Sequence, residues 1–176
     1  MLDHSKYFAK IVLVGDGGIG KTTLLKAFSQ NIYADNKITI GLDFTRKDLI
    51  INHIKISLLI WDLSGQKQFS FLIQDYLKGT RGVILSFDVS KYNTFLDLAH
   101  WMDLILPKID GIPIILVGTK VDRGYHPAFS VDSVNRFIKN YNITDFIETS
   151  AKEEINVDLP FRTMAEKLIE LRQEIR

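Results

Sequence analysis

The sequence predicts an α/β fold built on a mostly parallel sheet covered on both faces. Three observations carry this expectation. Apolar runs of strand length recur along the chain, as in "IVLV", "GVILSFD" and "IPIILVG". Stretches with helical periodicity follow most of them. Strands joined through helices of that length need crossover connections, so neighbouring strands run parallel and are buried on both sides. No repeats, linkers or low-complexity tracts interrupt the 176 residues, which read as a single domain over residues 1–176.

Each element has its own signal. "FAKIVLVG" (8–15) is a buried strand. The next segment, "TTLLKAFSQNIY", places Leu24, Leu25 and Phe28 on one helical face. Residues 36–44 have no clear period. Residues 48–62 split at Asn52-His53 into two strands joined by a tight turn. In the second of these, Ile54, Ile56, Leu58 and Ile60 alternate with Lys55, Ser57, Leu59 and Trp61. The first carries Arg46, Lys47 and Asp48, which suits an edge strand that must not pair with other chains. A strand at 82–88 precedes a helix at 93–106, with Asn93 as its cap and Pro107 as its stop. Then come a strand at 112–118, a helix at 130–141 opened by Ser130, and a short strand at 145–150. The last helix, 159–173, has Phe161, Met164, Ala165 and Leu168 in phase.

Composition narrows the function. A formal net charge of +1 provides no field that would draw the chain to nucleic acid or an anionic membrane. The absence of cysteine removes disulfides, thiolate zinc sites, cysteine nucleophiles, prenylation and palmitoylation. It fits a reducing, cytoplasmic setting. Leu at position 2 excludes N-myristoylation, and no apolar run reaches membrane-spanning length. Taken as it stands, the chain has no lipid anchor and is expected to reach membranes only through partners. His4, His53, His100 and His126 share no metal-ligand spacing and read as solvated or packing residues.

Gly15–Asp16–Gly17–Gly18–Ile19–Gly20–Lys21–Thr22, followed by Thr23, fits G-x-x-x-x-G-K-[ST] between a strand and a helix. Such glycines let the backbone turn its N–H groups inward into an anion nest, and the helix adds its positive end. Lys21 supplies a point charge for β- and γ-phosphates, and Thr22 a hydroxyl for Mg²⁺. Read alone, the stretch is a glycine turn; between strand and helix it is a phosphate cradle.

A second group is "WDLSGQ" (61–66). Asp62 ends a buried strand, where an unpaired carboxylate is costly, and should face Thr22 and a metal. Gly65 lets a backbone N–H reach a γ-phosphate, and Gln66 can orient an attacking water. A third group addresses the base. In "GTKVD", Asp122 can accept two N–H bonds from a guanine edge, while the stem of Lys120 covers the base plane. In "TSAK", Ala151 is small enough for a backbone N–H to approach a base carbonyl. Each tripeptide alone is weak; their order and their places at strand ends give them value. A P-loop kinase or ATPase is disfavoured because Asp122 and the Ser-Ala-Lys stretch address guanine.

With these motifs in order, the chain resembles a Ras-superfamily small GTPase over essentially its whole length, and most of all the Rab branch. The resemblance implies a three-layer α/β/α P-loop NTPase fold. Its sheet would have six strands, five parallel and one antiparallel at an edge, with five helices. It implies GTP or GDP and Mg²⁺ as ligands, held at Gly15–Thr23, Thr119, Lys120, Asp122, Ser150, Ala151 and Lys152. Thr39 in "TIGLDF" matches the switch I threonine that ligates Mg²⁺ with Thr22, while Asp62 binds the ion through water. Gly65 and Gln66 match the switch II pair, and Tyr33 falls where the family sets an aromatic against guanine. Gly17 and Gly18 stand where a side chain would hinder hydrolysis. Lys21, Thr39, Gly65 and Gln66 form the catalytic set. Phe44, Trp61 and Tyr76 match a hydrophobic triad that Rab proteins present to effectors.

Three departures stand out. Thr119 replaces the usual Asn of the base motif, as in Rho-type members. Ser64 replaces the usual Ala before Gly65, and the stretch from Tyr33 to Thr39 is one residue short. The expected protein is a monomeric molecular switch that hydrolyses GTP slowly. Activating proteins, exchange factors and effectors would act on it. The rival expectation, motivated by Ser64 and the short switch I, is a GTP-binding adaptor with little hydrolysis.

Overall fold

The computed structural model describes residues 7–29, 42–63, 65, 73 and 75–174. Its strands are β1 (Tyr7–Val14), β2 (Leu42–Ile51), β3 (Ile54–Leu63), β4 (Thr80–Asp88), β5 (Ile114–Thr119) and β6 (Asp145–Glu148). They form one six-stranded sheet in the order β2-β3-β1-β4-β5-β6. All neighbours are parallel except β2, which runs antiparallel to β3 at one edge. The helices among the described residues are α1 (Lys21–Ser29), α2 (Tyr92–Leu96), α3 (Leu98–Ile105), α4 (Val131–Tyr141) and α5 (Leu159–Glu174).

Side chains alternate across a strand, so each central strand feeds two cores. On one face Ile11, Leu13, Leu58, Ile84 and Val117 pack against Leu24 and Phe28 of α1 and Phe161 and Met164 of α5. Phe28 and Phe161 stack with centroids 4.2 Å apart. On the other face Val12, Val14, Leu85, Phe87 and Leu116 pack against α2, α3 and Val134 of α4. The result is the three-layer arrangement expected. It puts the carboxyl ends of β1, β3, β4, β5 and β6 on one edge, the place where open α/β sheets bind ligands.

The β2–β3 turn falls where the sequence put it. Asn52 and His53 have φ of 47° and 66°, the left-handed pair of a two-residue hairpin whose twist matches the strands. Ser130 caps α4 by accepting from the Ser133 N–H at 3.1 Å.

The helix expected at 93–106 is different. It is divided into α2 and α3 at Asp97, and the residue before it is Lys91, not Asn93. The Ser90 N–H and hydroxyl both bond to Asp88 Oδ1, and the Lys91 N–H bonds to the Asp88 carbonyl, so the chain has already turned by residue 91. Tyr92 can then open the helix, its ring against Phe95 and His126. The α-helical bonding ends at Ile105, and Pro107 lies in a single 3₁₀ turn, Leu106–Lys108. The last strand is shorter than expected and ends at Glu148.

Candidate functional site

The loop after β1 is shaped by its contacts. Gly15 has φ of 135°, and a Cβ there would lie 2.3 Å from the Ser86 carbonyl oxygen of β4. Only glycine lets the chain leave the sheet so tightly. The loop then closes into α1, whose first residue is Lys21. Its ammonium donates to the carbonyls of Gly15 at 2.7 Å and Asp16 at 2.8 Å. Burial lowers the Lys21 pKa to about 8, against the opposing pull of Asp62 and Asp16. A buried cation of this kind is ready for an anion.

Thr22, the next residue, donates its hydroxyl to Asp62 Oδ2. Asp62 is fully buried near the end of β3. Gly65 follows and presses against the loop: a Cβ there would lie 2.2 Å from the Asp16 carbonyl carbon and 2.4 Å from the Gly15 carbonyl oxygen. Gly65 therefore packs directly on the backbone of the phosphate loop. Tyr33, Thr39, Ser64 and Gln66 lie outside the described residues.

The base end is assembled from β5 and β6. Thr119, buried at the end of β5, donates to the Ile19 carbonyl at 2.6 Å. Thus the Thr that replaces Asn still ties the base motif to the phosphate loop. Lys120 adopts a left-handed backbone (φ 62°) and stretches back across the loop, with its Cε 3.6 Å from where a Cβ of Gly20 would be. Its ammonium reaches the Gly18 carbonyl at 2.6 Å and Asp88 Oδ2 at 2.8 Å. Asp122 is exposed and takes a 2.6 Å hydrogen bond from the Ser150 hydroxyl on Oδ1. The Val121 N–H bonds to the Thr149 carbonyl and the Thr149 N–H to the Gly118 carbonyl, which registers the two base motifs against each other. Ala151 is half-buried and Lys152 exposed beside them.

Two residues were missed by the sequence reading. Asp88 ends β4 fully buried. Burial pushes its carboxyl up, but the Lys120 ammonium and the Ser90 hydroxyl and N–H outweigh this and leave it below the ordinary value. A strand-end Asp like Asp62 was the available signal. Trp101 of α3, 2% exposed, donates its indole N–H to Asp16 Oδ1 at 2.8 Å. No local pattern announces that pair.

Against known proteins, the family pattern described as "Ras family" matches residues 10–170. The chain belongs to the Ras family. Its resemblance is to the Rab branch. It is 38% identical over 168 residues to "Ras-related protein RABC1" of Arabidopsis thaliana, covering 93% of this chain and 78% of that protein. "GTP-binding protein ypt3" of Schizosaccharomyces pombe is 32% identical, with 96% and 79% covered. "Ras-related protein Rab-1D" of Dictyostelium discoideum is 35% identical, with 94% and 81% covered. This Ras-family chain is therefore a small GTPase of the Rab branch: a guanine-nucleotide-binding switch that hydrolyses GTP and works through regulators and effectors. Among the described residues no helix is long and apolar enough to cross a membrane. No group of three or more His, Cys, Asp or Glu residues that could hold a metal ion occurs among them either.

Proposed function

We propose that the whole chain is one G domain whose nucleotide lies along the carboxyl edge of the sheet. Phosphates would rest on Gly15–Thr23 and guanine between Lys120, Asp122 and Ser150–Lys152. The observation that carries this reading is the bonding of the base motif to the phosphate loop, through Thr119 to Ile19 and Lys120 to Gly18. One bound molecule would touch both.

Mg²⁺ fits the donor set: the Thr22 hydroxyl is a hard oxygen ligand, and the Asp62 carboxylate within hydrogen-bonding reach of it would hold the ion through water. Phosphate, water and the Thr39 hydroxyl would complete the shell. When bound, the ion neutralises charge on the β- and γ-phosphate oxygens. Lys21 holds the same phosphates, and backbone N–H groups of the loop stabilise the charge that builds up in the transition state. Gln66 orients the attacking water, and Gly65 and Thr39 sense the γ-phosphate by their N–H groups. Loss of that phosphate releases both switch segments.

No arginine reaches this site from the described residues of β2, since Arg46 is exposed and paired with Asp48. Intrinsic hydrolysis is therefore slow, and an arginine from an activating protein would raise it roughly 10³–10⁵-fold. Effectors would read Phe44, Trp61 and Tyr76. Phe44 is 72% exposed and sits opposite Trp61 in the β2–β3 ladder, and Trp61 meets Tyr76 with centroids 6.0 Å apart. Phe44 is exposed while Trp61 and Tyr76 are half-buried behind it, and an exposed aromatic so backed marks a protein-binding surface.

The test is single-turnover phosphate release from GTP-loaded protein, wild type against Gln66→Leu. A fall of tenfold or more supports the assignment; equal rates remove Gln66 from the mechanism, and GTP kept intact over long incubation favours the adaptor.

A further inference from the structure

An acidic side chain is out of place in a loop that collects phosphate. Asp16 is such a residue, and its own main-chain carbonyl already accepts from Lys21. Its carboxylate is not left to turn toward the nucleotide. The loop leads into α1, which packs on one face of the sheet, whereas Trp101 lies in the core of the opposite face. The indole N–H of Trp101 takes Asp16 Oδ1 at 2.8 Å. A buried indole must place its N–H on some acceptor, and this one is a charged acceptor, which makes the bond stronger than a neutral one.

We propose that Trp101 is a positioning residue for nucleotide binding. Its indole holds the Asp16 carboxylate on the α3 side of the sheet, away from the phosphates. In doing so it fixes the Asp16 peptide, on which Lys21 and Gly65 both bear. The inference rests on the phosphate site proposed above. It gives α3 a part in nucleotide retention although α3 supplies none of the motif residues.

Dissociation of tritiated GDP from Mg²⁺-loaded protein tests it. A radioactive label avoids the change in energy transfer that loss of a tryptophan would cause. Trp101→Phe should speed release about tenfold, and more at low salt, because the bond that holds the carboxylate on the α3 side is lost and its charge lies closer to phosphate. In an Asp16→Asn background the same substitution should change the rate less than twofold, since there is no charge to release. A packing role alone would give the same change in both backgrounds, and that result overturns the proposal, as does an unchanged rate for Trp101→Phe. Replacing Trp101 with benzothienylalanine, which keeps the ring and removes the N–H, gives the same reading if the phenylalanine variant folds poorly. Lys21→Ala separates the two levels. Full GDP retention in that variant removes the phosphate site and the proposal with it. Lost retention with no effect of either Trp101 change overturns the proposal alone.

Discussion

The Thr119 hydroxyl donates to the Ile19 carbonyl at 2.6 Å, joining the end of β5 to the phosphate loop across 100 residues of sequence. The same oxygen lies 2.9 Å from the Phe87 carbonyl. Both acceptors are backbone groups in a buried environment. Thr119→Val keeps the shape and removes the donor. A buried carbonyl left without a partner costs about 1–3 kcal/mol. The variant should unfold at lower denaturant and release GDP several-fold faster. An unchanged GDP dissociation rate would show that the bond supports the fold and not the site.

Asp88 and Lys120 form a second link. Asp88 is fully buried and Lys120 only partly exposed, so the pair is shielded from solvent. Removing one charge of a buried pair costs about 3–5 kcal/mol. Asn at 88 still accepts from Ser90 and keeps the volume, so about 2–3 kcal/mol is expected for Asp88→Asn. Thermal melts of the GDP-bound protein should show it. GDP release should rise in parallel, because Lys120 also grips the Gly18 carbonyl.

Lys21 makes the protein's behaviour depend on pH in the alkaline range. Burial lowers its pKa to about 8. The unfolded chain, titrating near 10.4, therefore binds more protons than the folded one between those values, and this group's contribution to stability rises with pH there. Phosphate oxygens beside the ammonium favour its charged form. GDP binding near pH 8 should thus take up about half a proton, seen by calorimetry in buffers of different ionisation enthalpy. The uptake should vanish in Lys21→Met.

Asp48 should govern part of the acid response of the β2–β3 hairpin. The Ser57 hydroxyl donates to it at 2.6 Å, Arg46 and Lys55 lie beside it, and its pKa falls to about 2. Its folded value is below the unfolded one, so its contribution is whole above the ordinary carboxylate range and is lost as pH falls from about 4 toward 2. Ser57→Ala should lower the melting temperature at neutral pH, where the contribution is whole, and the difference from wild type should shrink as pH falls toward 2. NMR titration of Asp48 in both proteins checks the cause.

Most of the fold was legible because its signals are local. Asn52-His53 announced the hairpin, Ser130 announced α4, and the continuous apolar runs announced a sheet buried on both faces. The geometry of the candidate site was legible for a related reason: glycines, Lys21, Asp62 and Asp122 belong to motifs in which spacing along the chain fixes the arrangement. The start of α2 was misplaced because a helix can be capped by what precedes it. There the turn around Asp88 and Ser90, not the propensity of Asn93, sets the first residue. The Asp16–Trp101 pair, 85 residues apart, was invisible because nothing near Trp101 in the sequence says which acceptor its indole will meet. Contacts of this kind arise only when two layers close.

The bonds from Thr119 and Lys120 to the phosphate loop also bear on how nucleotide leaves. The groups that would hold guanine and those that would hold phosphate are cross-braced, so neither end can slacken while the other keeps its grip. Escape in two stages, one end first and the other later, should then have no stable halfway point. A regulator need only pry at one end for the whole ligand to go, and whichever end it chooses, the kinetics should show one barrier.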